Sequence, residues 1–309
     1  MTNNGDGPRD AGPDETGFRV QDPPQRVSGM RVLDGWTLPG KPADLGPAAE
    51  DAWRQTGFLA AEELRLLAAG LDLQARLAAT GYTATARNMT MAAFASLWSR
   101  AFLCQSDAVG LIRRGSYQSA LALIRQAAEF IGAQAGLPDE LDEWRRWTHE
   151  AYGRHPETRS IEIGLGNYFS GSGISEDPHL RLIYRAASDF GRPNFGPTAL
   201  FVANEASHER FPLIFADQAF HLGWAQLLLG WTLRLGAAQL HTGLHLSPQF
   251  PAPSDLREEA AGHVRAVEAL LGATDRCRLE EWTDEQGRRH HLLVDFRRQP
   301  SDAPGRLLF

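Results

Sequence analysis

Apolar side chains recur at three- and four-residue spacing over most of the chain, and this period predicts helices rather than strands. In FLAAEELRLLAAGLDLQARLAA the repeat runs from Phe58 to Ala79, with Pro47 upstream suited to a first helical turn and Gly81 as the stop. A second run, Met89 to Arg114, is apolar on almost every side. Gly115 ends it, Ser116 stands as an N-cap, and a third helix follows from Tyr117 to Ala135. So short a break between long helices predicts an antiparallel helical hairpin.

Leu137-Pro138 then opens an amphipathic helix, DELDEWRRWTHEAYG, ending at Gly153. Residues 154 to 176 read as a Gly- and Ser-rich loop around one short element, Ser160 to Ile163. Asp177-Pro178 combines an N-cap acid with an N1 proline, and its helix closes at Phe190-Gly191 before Pro193. Residues 194 to 212 stay open between a short strand at Leu200 to Ala203 and a helix. Ala216 to Leu246 is a long, aromatic-rich core helix, broken by Pro248, Pro251 and Pro253. Asp255 with Glu258 forms a capping-box-like start to a helix reaching Leu271. RLEEWT, a turn at Glu285-Gln286-Gly287 and HHLLVDF predict a β-hairpin.

The expected fold is all-α: an antiparallel helical bundle with a small C-terminal β-hairpin. Its organisation is a disordered tail over 1–28, an extended arm over 29–46, a bundle over 47–272, and the hairpin with its tail over 273–309. The tail is too polar to offset the entropy of ordering. The arm carries Val32, Leu33, Trp36 and Leu38, which pack on the domain without joining a sheet.

Composition narrows the function classes. The 309 residues are 43% hydrophobic and carry a formal charge of −7, which argues against a DNA-coating role but leaves room for a local basic cleft. Two cysteines, Cys104 and Cys277, exclude a disulfide framework and a Cys-rich zinc site. The first residues lack the order of a signal peptide, and the uncharged run Gln218 to Leu233 falls short of the ~20 apolar residues of a spanning helix. The expectation is a cytoplasmic protein with no membrane partner and no cofactor.

The most suggestive polar feature is the central hairpin. Arg100 and Asp107 are the only charges between Met91 and Ile112, seven apart and on one face. Arg125 and Glu129 share a face of the partner helix. Folded about Gly115, the signs cross-match: Asp107 with Arg125, Arg100 with Glu129. Charges on helices this apolar are expected to pair, either to fix the hairpin register or to line a cleft.

His241 and His245 have the i, i+4 spacing of metal ligands, but no HExxH follows, and His221 is about 30 Å away along the helix. His290 and His291 point to opposite faces of a strand. A metal site would need a further ligand from elsewhere. GLGNYFSGSG, Gly164 to Gly173, has Phe169 where the dinucleotide fingerprint needs its third glycine, and reads as a flexible loop. Cys104 reads as core. Phe220, Trp224 and Trp231 form one stripe, a core or an oligomer interface.

The run SYQSALALIRQAAEF with the later HLRLIYRAASDFGRPNFGP resembles bacterial HEPN-like helical-bundle proteins of the abortive-infection type over residues 90 to 245. In such families a long hairpin carries an Arg and a Glu, and a later helix ends in a Tyr/Ser-rich segment before His-Pro. The resemblance picks out Arg125, Glu129, Tyr184 and Ser188, with Arg192-Pro193 at the His-Pro step. Together with Arg100 and Asp107, which the hairpin's charge pattern supplies, these residues make up the expected ligand-binding set. The family's nuclease spacing, an Arg then a His, is met at Arg234/His241 and Arg257/His263, but Leu235 and Glu258 stand where a polar residue usually follows the Arg. The resemblance therefore implies binding of nucleotide, RNA or a partner protein, with little or no catalysis. Two other classes stay open: a metal-dependent hydrolase using His241 and His245, and a structural homo-oligomer.

Overall fold

The computed structural model describes residues 35–83, 89–138, 141–142, 144–146, 149, 170–202, 208–210, 217–246, 250–273 and 275–308. The tail over 1–28, the element Ser160 to Ile163, and Gly164 to Phe169 of the Gly-rich run lie outside them. The described chain runs α1 (Pro47–Leu59), α2 (Ala61–Thr83), α3 (Met89–Arg113), α4 (Tyr117–Gly136), α5 (Ser170–Glu176), α6 (Pro178–Phe190), α7 (Phe195–Val202), α8 (Leu222–His245) and α9 (Ser254–Leu271). An antiparallel sheet of β1 (Arg278–Thr283), β2 (Arg289–Phe296) and β3 (Gly305–Leu308) closes it, in the order β1-β2-β3. The fold is thus mostly α with a small C-terminal sheet, and no helix among the described residues is long and apolar enough to cross a membrane.

The core is built on α8. This helix is buried along most of its length from Leu222 to Leu240, with Gln226 and Arg234 half-buried, and α2, α3, α4 and α9 pack around it. Phe220, Trp224 and Trp231 are buried there. Trp224 stacks on Phe201 at 4.5 Å and meets Phe190 and Phe296 edge-on, so the stripe is core and offers no interface. Gln74, Gln105 and Gln239 are also buried and form a ladder that leaves Gln74 Oε1 without a partner among the described residues. Gln74 Nε2 donates to Gln105 Oε1 at 3.2 Å, Gln105 Nε2 to Gln239 Oε1, and Gln239 Nε2 to the Trp98 carbonyl at 3.1 Å. This ladder joins α2, α3 and α8 without a charge.

The hairpin of α3 and α4 forms about Gly115, whose φ of +75° and crowding against the Gln218 carbonyl demand glycine. Ser116 occupies the N-cap, but its hydroxyl accepts from Gln218 Nε2 at 2.8 Å instead of capping the helix. Asp177 does cap α6, accepting from His179 N at 2.8 Å and Leu180 N at 3.1 Å, with Pro178 at N1. The β1–β2 turn is held by Asp284, whose carboxylate accepts from the Gln286 and Arg288 backbones, with Gly287 at φ +77°. The described part of the arm, from residue 35, has no regular structure. Its Trp36 meets Phe102 at 5.2 Å and donates its backbone N–H to Asp72.

Several sequence expectations are corrected. No helix runs unbroken through Ala60, which takes φ −118°, ψ 31° between α1 and α2, while α2 passes Gly81 and ends at Thr83. The Gly-rich stretch is not loop throughout, because residues 170 to 173 begin α5. There a side chain at Gly173 would run into the Gly132 carbonyl, so glycine lets α5 lie directly on the α4 backbone. Of the two readings left open for residues 194 to 212, the helix forms at Leu200, which lies in α7.

α8 begins at Leu222 rather than Ala216, because its open N–H groups find partners there. Leu222 N and Gly223 N donate to the Arg298 and Arg297 carbonyls, and Trp224 N to His221 Nδ1 at 3.3 Å. α9 starts after Pro253 with no side-chain cap, so the Asp255/Glu258 box does not form. β3 was not expected from the pattern, and it joins β2 beyond a bulge at Val294/Phe296, where Asp295 has φ 58°.

Candidate functional site

α4 and α6 pack side by side, and β1 and β2 reach α6 through Glu281 near Arg185 and His291 against Asp189. Between them opens a cleft of about 880 Å³. α4 contributes Gln118 and Arg125, α6 contributes Tyr184, Arg185, Ser188 and Asp189, the turn after α6 contributes Arg192, and the sheet contributes Glu281, Arg289, His290 and His291.

Arg125 is the organising side chain. Its Nε donates to Ser188 Oγ at 3.0 Å, and its Nη2 donates to Glu129 Oε1 at 3.0 Å and to the Tyr184 hydroxyl at 3.4 Å. The Ser188 hydroxyl in turn donates to the Tyr184 carbonyl at 2.7 Å, one turn back along α6. Nη1 has no protein partner among the described residues. The guanidinium is thereby fixed in orientation while one edge remains available, which is the arrangement that recognises a planar or tetrahedral oxyanion.

Around it stand Arg185, Arg192 and Arg289, against Asp189 and Glu281 in the walls and Glu129 behind Arg125. Arg185 reaches Glu281 only at 4.0 Å. Arg289 is exposed and has no ion pair among the described residues. Asp189 is doubly engaged, by Arg192 at 3.4 Å and by His291 Nε2 at 3.1 Å. His291 Nδ1 is buried without a partner among the described residues, and its Nε2 lies against the Asp189 carboxylate. His290 Nε2 is likewise tied, to Asp284 at 3.0 Å. Both imidazoles line the cleft, each with its Nε2 held by a carboxylate.

Arg125, Tyr184, Ser188 and Arg192 therefore share one cleft, with Glu129 bonded to Arg125. Arg100 and Asp107 do not join them, and the crossed pairs do not form. Arg100 lies 3.9 Å over the Phe130 ring, and Asp107 is exposed. The α3–α4 seam is filled by small buried residues such as Ala101, Ala108, Ala120 and Ala127. Ser96, Ser99, Arg100, Leu103 and Asp107 instead form a solvent stripe at helical spacing, where a charge needs no partner.

Sequence reasoning missed Arg185, Asp189, Glu281 and Arg289. Arg185, Ser188, Asp189 and Arg192 fall at i, i+3, i+4 and i+7, and that stripe was the available signal. The rings of His241 and His245 lie 4.2 Å apart, tilted by 45°, near the exposed end of α8, and no group of three or more metal-ligating side chains occurs among the described residues.

The fold and cleft together define a helical-bundle protein with an arginine-lined pocket roofed by a small sheet. No family model, curated protein or solved structure matches the chain.

Proposed function

We propose that this chain is a HEPN-like cytoplasmic binding protein whose cleft takes the phosphate and adjoining sugar-base portion of a nucleotide, free or at the end of an RNA. The observation that carries the reading is the fixed Arg125 guanidinium, with its Nη1 edge available and Arg185, Arg192 and Arg289 around the same cleft, in a chain of net charge −7. Arg125, Arg185, Arg192 and Arg289 outnumber Glu129, Asp189 and Glu281 around the cleft, and that local excess favours an anionic ligand.

Isothermal titration with ATP and with a short single-stranded oligoribonucleotide tests this. At least one should bind saturably, and Arg125→Ala should weaken it tenfold or more while the melting temperature changes little. Absence of saturable binding of both, or equal affinity in the variant, defeats the reading.

A further inference from the structure

A second cavity of about 250 Å³ lies on the other flank of α6, between α6, α8, the end of α9 and the start of β1. Its walls are mostly apolar, with Ile183, Leu227, Trp231 and Leu279 among them. Arg234 opens into it from α8, and His179 stands on its α6 side. The other cations there are already committed. Arg276 binds Glu63 at 3.3 Å and the Gln226 carbonyl, and Arg278 binds Glu280 at 2.8 Å and Asp295 at 3.1 Å.

Arg234 is different. It is half-buried, and it has no hydrogen bond and no ion pair within 4.0 Å among the described residues. Asp177 and Glu268 favour its charge only from farther off, while burial opposes it and lowers its pKa. Burial, and then Arg234's own charge, also hold the His179 imidazole below its ordinary pKa, so two bases crowd one side of an apolar space. A guanidinium withdrawn from water without a partner is costly, and a counter-anion removes the cost.

We propose that this cavity is a binding site for a small monocarboxylate with an aliphatic or aromatic tail. The carboxylate takes the Arg234 fork in bidentate fashion, and the tail lies against Trp231, Ile183 and Leu227. The volume is just below the usual range of small-molecule sites, about 300 Å³ upward, which limits the tail to roughly a hexyl chain or one ring. One uncommitted guanidinium matches one negative charge, which disfavours a phosphate dianion or a dicarboxylate. The site is separate from the arginine cleft and does not rest on the nucleotide reading.

Calorimetric titration and thermal melts of the full chain with hexanoate and phenylacetate provide the test, with hexan-1-ol, hexylammonium and inorganic phosphate as comparators. Hexanoate or phenylacetate should bind one to one and raise the melting temperature, and each comparator should bind at least tenfold more weakly. Arg234→Gln removes an unpartnered charge, so it should fold at least as well as the parent and lose tenfold or more in affinity. Arg234→Lys keeps the charge without the fork and should fall between the two. ATP should not displace the carboxylate. No saturable carboxylate binding, equal affinity in both Arg234 variants and the parent, equal binding of hexan-1-ol, or displacement by ATP each overturns the assignment.

Discussion

His221 shows how one side chain ties the chain's ends to its core. Its Nδ1 caps α8, its backbone N–H donates to the Tyr117 hydroxyl at 3.0 Å, and its ring lies 4.6 Å from that of Phe296. Burial, and then the charge of Arg298, lower its pKa from 6.5 to about 4. Between those values the unfolded chain binds a proton that the native chain refuses, so stability rises with pH across that window. The contribution is complete above pH 6.5, falls as the pH drops toward 4, and is absent below 4. A gap of two to three units corresponds to about 3 kcal/mol. Urea titrations at pH 7 and pH 4 should show that loss. His221→Asn, which retains an acceptor for the cap, should remove most of it, leaving the smaller part due to His179 and His263, whose pKa values burial also lowers. An unchanged pH slope in His221→Asn would exclude this origin.

The crossed hairpin pairs do not form, and a buried ion pair stands at a place the sequence pattern did not indicate. Arg276 and Glu63 are 6% and 9% exposed and meet at 3.3 Å, joining α2 to the approach to β1. Glu63→Ala should cost about 3–5 kcal/mol by chemical denaturation, because Arg276 is left uncompensated. Glu63→Leu combined with Arg276→Met should regain much of it. Spacing along a hairpin could suggest that Asp107 faces Arg125, but only the packed bundle brings Glu63 to Arg276, from opposite ends of the chain.

At the scale of elements, what was legible was what local chemistry dictates. Asp177-Pro178 starts a helix, Gly115 turns a hairpin, and Asp284 to Gly287 turns another, because each carries its own hydrogen bonds or backbone requirement. What was not legible depends on tertiary partners. Ala60 breaks a helix with no glycine or proline to mark it, and α8 starts where Arg297 and Arg298 offer carbonyls. α5 looks like loop because glycine is a poor helix former, yet Gly173 is what allows its close approach to α4. Gly171, in the same helix, faces open space. Gly173→Ala should therefore destabilise by about 1–3 kcal/mol through overpacking, while Gly171→Ala should be neutral or gain up to about 1 kcal/mol from helix propensity. Similar melting shifts for the two variants would refute the docking argument.

At the scale of the whole molecule, the cleft joins residues that a one-dimensional pattern could only partly assemble. Arg125, Glu129, Tyr184 and Ser188 were legible through the resemblance of two helical runs. Arg185 lines the cleft from α6 itself, and Glu281 and Arg289 reach it because the sheet meets α6 where Asp189 contacts His291. The two groups of arginines have different tasks in the proposed binding. Arg125 is held by three partners and supplies geometry, whereas exposed, unpaired Arg289 supplies charge. Salt dependence separates these tasks. For a single-stranded oligoribonucleotide, each phosphate contact contributes about −0.7 to the slope of log affinity against log salt. Arg289→Ala should weaken binding modestly and make that slope shallower by about 0.7, the loss of one counterion-releasing contact. Arg125→Lys should leave the slope unchanged, because the charge stays, yet lower affinity at every salt concentration, because an ammonium cannot reproduce the fork that bonds Ser188 and Glu129 while facing the ligand. Affinities measured from 50 to 200 mM salt on the two variants decide it: a slope that Arg289→Ala leaves untouched, or an Arg125→Lys variant that binds like the parent, would show that the cleft does not divide charge from geometry in this way.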